Sequence, residues 1–411
     1  MKKQILAIAA LLAVGALASC GGPKDEMKIG LLTLHDENST YDKNFIDAFK
    51  AACKAQGVKA VVQSGIDESA KCTEAADNMV DDGVKAVFAD SFGHETHLKA
   101  SAEKHPEVSF GHATGTQAHT EKLANFQNAF ASIYEGRYLA GVAAGMKLAS
   151  MTSAAHKIGY VGAFPYAEVI SGYTSFYLGV KSVVADVTMD VRFTNSWYDE
   201  TAEKAAANAL ISGGCTLISQ HADSWGAPSA CETAGVPNVS YNGSTESQCP
   251  NTFVVSSRIN WQPYYEACIK AVKEGKKITE LGYDWTGTVD TGSVELSALG
   301  AEATKGLNIQ AKLDEVAAEL KAGTRHVFDC STFTVNAAKA DTSEFSKAEY
   351  ITMDAEGHLT GYLADVDDDG KFIGETEAVK SEGGKTWFDE SAKRSAPYFD
   401  IAIDGITQLY D

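Results

Sequence analysis

From Met27 onward the chain alternates short apolar runs with amphipathic stretches of roughly 10–15 residues, and that alternation constrains its fold more than any other feature. "MKIGLLTL" reads as a buried strand, "KNFIDAFKAACKAQG" as a helix stopped by Gly57, and "VKAVVQSG" as the next strand. "ESAKCTEAADNMVDDG" predicts a helix, "VKAVFADS" a strand, "HETHLKASAEKHP" a helix closed by proline, and "VSFGHATG" a strand. Strands alternating with helices of this length indicate βαβ units and a parallel sheet.

The same grammar then starts again. "NAFASIYEGRYLAGVAAGMKLAS" reads as one long helix with small residues where close packing is wanted. "KIGYVGAF" mirrors "KIGLLTL" and leads into the helix "EVISGYTSFYLGVKSV", the strand "VTMDVRFTNSW" and the helix "ETAEKAAANALISGG". The strand "CTLISQHAD", the short helix "APSACETAG" and the strand "VPNVSYNGS" follow. Two α/β units of like grammar predict two lobes facing a cleft. "TFVVSSRINWQPYYEACIKAVKEGKK" adds a strand and a helix, and from about Tyr283 the helical grammar fades into short strands and turns. The expected organisation is a first lobe over residues 27–128 with a return segment near 252–285, and a second lobe over 129–250. A crossover and lobe-completing segment over 286–342 and an acidic, β-rich extension over 343–411 follow. The hinge is expected at crossovers near 128 and 245–260.

Residues 1–19 read as a signal peptide: Lys2 and Lys3 precede an apolar run too short to span a bilayer comfortably. "LASCGG" then resembles the bacterial lipoprotein processing site, which implies cleavage before Cys20, acylation of that thiol and a lipidated linker over 20–26. No later apolar run approaches the roughly 20 residues of a span, so the remainder is expected to be extracytoplasmic and anchored by lipid. The formal charge of −20 argues against nucleic acid or an anionic membrane surface as a partner. Seven cysteines follow Cys20 with no zinc-knuckle spacing. Cys53 and Cys72 flank one predicted strand and Cys231 and Cys249 another; an exported location permits either pair to bridge, and free buried thiols are equally compatible.

The segments "KIGLL", "SFGHETH", "SFGHATG", "YEGRYLAGVAAGMK", "KIGYVGAFPYAEVISGYTSFYLGV", "NSWYDETAEKAAANALI", "SQHADS" and "NWQPYYEACIKAV" resemble the basic membrane protein family over roughly Met27 to Lys276. The resemblance implies the type I periplasmic-binding fold, with two Rossmann-like lobes around a ligand cleft. It also implies a lipid-anchored ABC-importer component that captures a purine nucleoside or base and delivers it to a permease. The chain departs from the nucleoside-binding pattern. Where relatives carry a ribose-gripping aspartate, it reads Tyr241-Asn242-Gly243, and Arg258 or Asn260 is the nearest counterpart of their lysine.

Open α/β sheets bind ligands beyond the carboxyl ends of their strands, and those positions give candidates independently of the family. They are Ser39, Thr40, Tyr41 and Asp42 after the first strand, Ser91 and Phe92 after the third, and His112 and Thr114 after the fourth. In the second lobe they are Trp197, His221, Asp223 and Asn242, with Arg258 and Trp261 near the return. Flat rings from Tyr41, Phe92 or Trp197 would stack on a heteroaromatic base, while Asp, Asn and His meet its edge. Each has a plainer alternative: Trp197 as core, Tyr41 as a solvent-touching lid, Phe92 packed beneath its loop, Asp223 or Ser224 as a helix cap, and Arg258 and Trp261 as hinge or interface. Glu135 and Arg137 sit mid-helix and read as structural.

Two other constellations are conceivable sites. His94 and His97 share a helical face within a cluster that includes His105, His112 and His119, but "HETH" is not HExxH, and no metal is expected there. "DVDDDGKFIGETE" has calcium-loop spacing at its start but Thr376 where a bidentate Glu belongs, so a turn explains it equally well. No cofactor is expected, and a monomer is. The rival functions are a surface receptor that senses ligand without transport and an exported nucleoside hydrolase; no GxSxG, HExxH or Asp-rich metal cluster supports the hydrolase.

Overall fold

A computed structural model describes residues 26–152, 156–340, 348–366 and 376–409. The signal peptide, Cys20 and residues 367–375 of the 365–377 loop therefore lie outside the described residues. The first lobe opens with strand β1 (Lys28–Thr33), helix α1 (Thr40–Gln56), β2 (Lys59–Ser64), α2 (Ala70–Asp81) and β3 (Val84–Ala89). It continues through α3 (Glu95–Lys104), β4 (Ser109–Ala113), the short α4 (Ala118–Glu121) and β5 (Phe126–Ala131). Local chemistry sets these boundaries. Ser39 accepts the Asp42 N–H and caps α1, and Gly57, at φ 64°, closes it in a left-handed turn.

The second lobe runs α5 (Ile133–Ala149), β6 (Lys157–Gly162), α6 (Ala167–Lys181), β7 (Thr188–Phe193), α7 (Glu200–Ser212), β8 (Leu217–His221), α8 (Gly226–Ala234), β9 (Asn238–Tyr241) and β10 (Phe253–Ile259). Then come α9 (Gln262–Lys273), β11 (Asp284–Gly287), β12 (Val294–Leu296) and α10 (Ile309–Lys321). The remaining strands are β13 (Ile351–Met353), β14 (Leu359–Ala364), β15 (Thr376–Glu377), β16 (Val379–Glu382), β17 (Lys385–Phe388) and β18 (Ile406–Leu409).

Two sheets form the lobes. One has the order β11-β5-β4-β3-β1-β2 and is parallel throughout; the other has the order β12-β10-β9-β8-β6-β7-β18, with β12 antiparallel to β10. Sheets with helices on both faces bury their strands, which is why β4, β5 and β8 are buried at every residue. Helices α5 and α6 cross closely because Gly141 and Gly179 face each other's backbone. A Cβ on either would come within 2.2 Å of a carbonyl oxygen of the other helix.

The chain crosses between lobes three times, at Ala131–Ile133, Ile259–Gln262 and Gly287–Val294. Bonds from the Ser132 N–H to the Gly287 carbonyl and from the Asn260 N–H to the Ser293 carbonyl tie the crossings together. The expected boundary at 128 falls inside β5, because "NAFA" finishes that strand instead of starting a helix. The expected return segment divides: β10 belongs to the second sheet, and only after it does α9 cross back to pack Tyr265 edge-on against Phe49 in the first lobe.

Two further expectations are corrected. Helix α10 lies where the helical grammar had seemed to fade, burying Ile309, Leu313, Val316 and Leu320. The extension is not merely appended: β18 pairs with β7, Phe399 stacks on Phe328 at 4.4 Å, and Tyr398, Ile401 and Ile403 enter the second-lobe core. Of the two states that the sequence left open for Cys53, Cys72, Cys231 and Cys249, the structure has the free, buried thiols. Cys53 packs on one face of the first sheet and Cys72 on the other, so the strand between them keeps them apart.

Candidate functional site

The carboxyl ends of both sheets meet at one cleft. From the first lobe come Leu34 and His35 just after β1, Tyr41 and Asp42 from the first turn of α1, Ser91 and Phe92 after β3, and Thr114 after β4. From the second come Glu168 at the start of α6, Trp197 after β7, His221 and Asp223 at and after β8, and Tyr241 ending β9. The lobes stand closed on one another. The Thr40 N–H and hydroxyl both donate to the Asp223 carbonyl, at 3.2 and 3.1 Å. Phe92 meets Tyr166 at 5.8 Å and His35 meets Tyr198 at 5.4 Å across the gap. The cavity left between them is about 20 Å³, room for little more than one water.

The polar groups of the cleft are held in definite states. His35 bonds Asp42 twice, through its N–H at 2.7 Å and its ring at 3.4 Å. Burial works to raise the Asp42 carboxyl, but bonds from His35 and Ser39 outweigh it and hold the group below its ordinary value. The bond to Asp42, opposed by burial, raises the His35 imidazole. Asp90 lies beneath, with one oxygen taking the Leu34 N–H and the other buried without a partner. Burial, then the nearby Asp42 charge, pushes its carboxyl well above the usual range. Burial, with Asp42, Glu203 and Glu168 nearby, does the same to Asp223. His221 bonds Glu168 at 3.2 Å and packs on Tyr241 at 4.4 Å; burial lowers its imidazole toward the neutral form. The cleft thus offers rings, an ionised acid, acids biased toward the neutral form and a neutral imidazole, a set suited to a flat polar heterocycle.

Eight of the sequence candidates line this space: Tyr41, Asp42, Ser91, Phe92, Thr114, Trp197, His221 and Asp223. Six do not. Ser39 caps α1, and Thr40 spends its hydroxyl on the cross-lobe bond. His112 is buried behind the wall, its ring bonded to the Ser91 carbonyl. Asn242 is buried at φ 61°, with its amide nitrogen unpartnered. Arg258 pairs with Glu295 at 2.7 Å, and Trp261 stacks on Phe45 at 4.4 Å in the first-lobe core. Leu34, His35, Glu168 and Tyr241 were not among the candidates. Leu34, His35 and Tyr241 stand at or just beyond a strand end, so the strand-end rule applied one residue more generously would have found His35 and Tyr241; Glu168 lies further on, in the first turn of α6.

The other constellations separate. His94 bonds the Ile66 carbonyl, His105 pairs with Asp77, and His119 faces Asp284 at 3.4 Å. The N-cap position of α8 is Trp225, which makes no side-chain cap bond; Ser224, one residue earlier, accepts the Gly226 N–H, and Asp223 lines the cleft. Arg137 is buried inside the second lobe, donating to the hydroxyls of Tyr160, Ser219 and Ser257.

Two parallel α/β lobes, joined by three crossings and shut over an aromatic, acid-bearing cleft, define a two-lobed solute-binding protein. Solved structures with this fold include solute-binding proteins of ABC transporter systems from Aeropyrum pernix (TM-score 0.60, 16% identity, 77% of this chain and 94% of that one) and Conexibacter woesei (TM-score 0.58, 16% identity, 73% and 98%). Residues 33–325 match the model of the Bmp family, described as ABC transporter substrate-binding protein PnrA-like. A purine-binding protein of Brucella abortus is 30% identical over 361 residues, which is 86% of this chain and 96% of that protein. A Haloferax volcanii protein, provisionally named an ABC transporter glucose-binding protein, is 34% identical over 232 residues, 56% of each chain. The ABC transporter nucleoside-binding protein BmpA of Lactococcus lactis is 25% identical over 239 residues, 54% of this chain and 65% of that one. The chain belongs to the Bmp family: it is the extracytoplasmic substrate-binding component of an ABC transporter, with a permease as its partner, and not an enzyme.

Proposed function

We propose that this component is anchored by lipid at Cys20, acts as a monomer, and captures a purine base or nucleoside for its permease. The observation that carries the reading is the cleft itself. Tyr41 and Phe92 from one lobe and Trp197 and Tyr241 from the other face one narrow space, with Asp42, Asp223, Glu168 and His221 at its edges. A thin aromatic solute fits between such walls once the lobes part, and its ring nitrogens and exocyclic groups find both donors and acceptors. The purine- and nucleoside-binding relatives support this choice of ligand, and the glucose-binding name of another relative supplies the natural control. The test is calorimetric titration of the soluble chain with adenine, adenosine, guanosine, inosine, a pyrimidine and glucose. At least one purine is expected to bind at micromolar strength or better. If no purine exceeds roughly millimolar affinity, about −4 kcal/mol, the ligand class is wrong.

A further inference from the structure

Helix α6 begins in the cleft with Glu168 and ends, at Lys181, on a second cavity of about 460 Å³. The end of α6, the end of α10 with the chain after it from Glu319 to Thr332, and Lys385 at the start of β17 wall this space. It shares no lining residue with the cleft. The family match ends at residue 325, so His326, Asp329, Thr332 and Lys385 lie beyond it. In a chain of formal charge −20, the cavity gathers three cations, Lys181, Arg325 and Lys385, against two acids, Glu319 and Asp329.

We propose that this cavity is a second binding site, separate from the solute cleft, that takes the phosphate of a small phosphorylated molecule.

The two ammonium groups supply the main attraction. Lys181 donates to the Thr332 carbonyl at 3.1 Å and lies over the Tyr177 ring at 5.9 Å, while Lys385 donates to the Thr324 carbonyl. Both carbonyls belong to lining residues, so these bonds hold the two charges against the cavity wall. Among the described residues neither lysine is paired with a carboxylate. An ammonium has three donors, so each keeps its charge and two N–H groups for a ligand. The acids are already engaged. Glu319 pairs with the Arg325 Nε at 2.6 Å, and one Asp329 oxygen accepts the Ser331 N–H and hydroxyl at 3.0 and 2.7 Å. Arg325 also donates through Nη1 to the Tyr138 hydroxyl at 3.0 Å, which leaves Nη2. His326 has one face stacked on Trp387 at 3.8 Å, and neither of its nitrogens is bonded among the described residues. Burial, then the Lys385 charge, lowers its imidazole toward the neutral form, which keeps one N–H to donate.

These groups select the ligand. A phosphate monoester carries about two negative charges at neutral pH, matching the two unpaired ammonium groups, whereas a single carboxylate leaves one of them unanswered. Lysine binds phosphate as a point charge. The volume falls within the span of small-molecule pockets, about 300–1,000 Å³, and leaves space for an organic body beside Leu178, Ala185 and Val327.

The experiment titrates ribose 5-phosphate, inorganic phosphate and ribose into three proteins by calorimetry. They are the wild type, a Lys181→Gln, Lys385→Gln double variant, and a Lys54→Gln, Lys59→Gln control that loses the same charge from exposed positions of the first lobe. Glutamine keeps a donor for each carbonyl and removes the charge. Ribose 5-phosphate is expected to bind the wild type below millimolar, with ribose and inorganic phosphate each at least tenfold weaker. The Lys181, Lys385 variant is expected to lose at least tenfold for ribose 5-phosphate, and the control to stay within twofold. Melting temperatures confirm that both variants fold. Ribose 5-phosphate bound no more tightly than ribose, an equal loss in the two variants, or a folded Lys181, Lys385 variant with wild-type affinity would each overturn the site. Inorganic phosphate bound as tightly as ribose 5-phosphate would overturn the organic body. If the double variant fails to fold, Lys385→Gln alone, at an exposed position, is expected to lose at least threefold, and unchanged affinity there would overturn the site equally.

Discussion

Trp197 forms part of the cleft wall and also rests on the second-lobe core, meeting Phe164 edge-on at 5.2 Å. Its carbonyl accepts the Asp223 N–H at 2.9 Å, so the loop that presents the ring also positions an acid. That bond is made by backbone and survives truncation of the side chain. Trp197→Ala should therefore remove stacking worth about 0.5–1.5 kcal/mol together with the ring's buried area. Affinity for the bound purine should fall on the order of tenfold or more by calorimetry, while melting drops by only a few degrees. If stability collapses and affinity per folded molecule is unchanged, the ring was core alone. At this scale eight of the strand-end candidates line the cleft, and the positions that fall outside it have a common cause. The rule places a residue along the strand but not its side chain across it. Asn242 follows the last residue of β9, and Tyr241 is the one that faces the cleft. Trp261 carries an aromatic ring suited to stacking, but the start of α9 aims it at Phe45.

Most elements of the two sheets were legible because buried parallel strands and amphipathic helices differ in hydrophobic period; β5 was not, because its apolar run continues without a break into α5. The end of the chain was not. There, short strands gain their place from long-range partners: β18 is four residues long and is defined by β7, more than 200 positions earlier. Burial around Glu390 shows how closely this region is integrated. One oxygen accepts the N–H groups of Tyr398 and Phe399, the other has no partner, and burial raises the carboxyl from 4.5 to about 8. Between those values the folded chain holds a proton that the unfolded chain has lost, so stability must fall as pH rises through that window. Glu390→Gln keeps an acceptor for the two N–H groups and cannot ionise. Melting curves from pH 4.5 to 8 should show the wild type losing stability relative to this variant, by on the order of a few kcal/mol at the upper end. Parallel curves would mean that the carboxyl is not buried in this way in solution.

At the scale of the whole molecule, capture depends on the lobes parting. A space of about 20 Å³ admits no purine, and two bonds from Thr40 to the Asp223 carbonyl hold the closed form together. The three crossings permit a hinge, since a few residues at each can absorb the rotation. Closure brings Gly243 against α1, so that a Cβ built on this glycine would lie 3.4 Å from the Cβ of Thr40. That separation is close to the range a disulfide spans. The seven cysteines among the described residues are buried, and burial raises Cys53, Cys72, Cys215, Cys231 and Cys330 to about 12 and Cys249 to about 11, so they compete poorly for oxidant. A Thr40→Cys, Gly243→Cys double variant should therefore form one bridge when oxidised, locking the lobes shut without altering a residue that lines the cleft. The oxidised protein should fail to bind purine, and reduction should restore binding to within a few-fold of wild type. Purine binding of equal strength before and after reduction, with the bridge verified by mass, would mean that the solute reaches its site without the lobes separating.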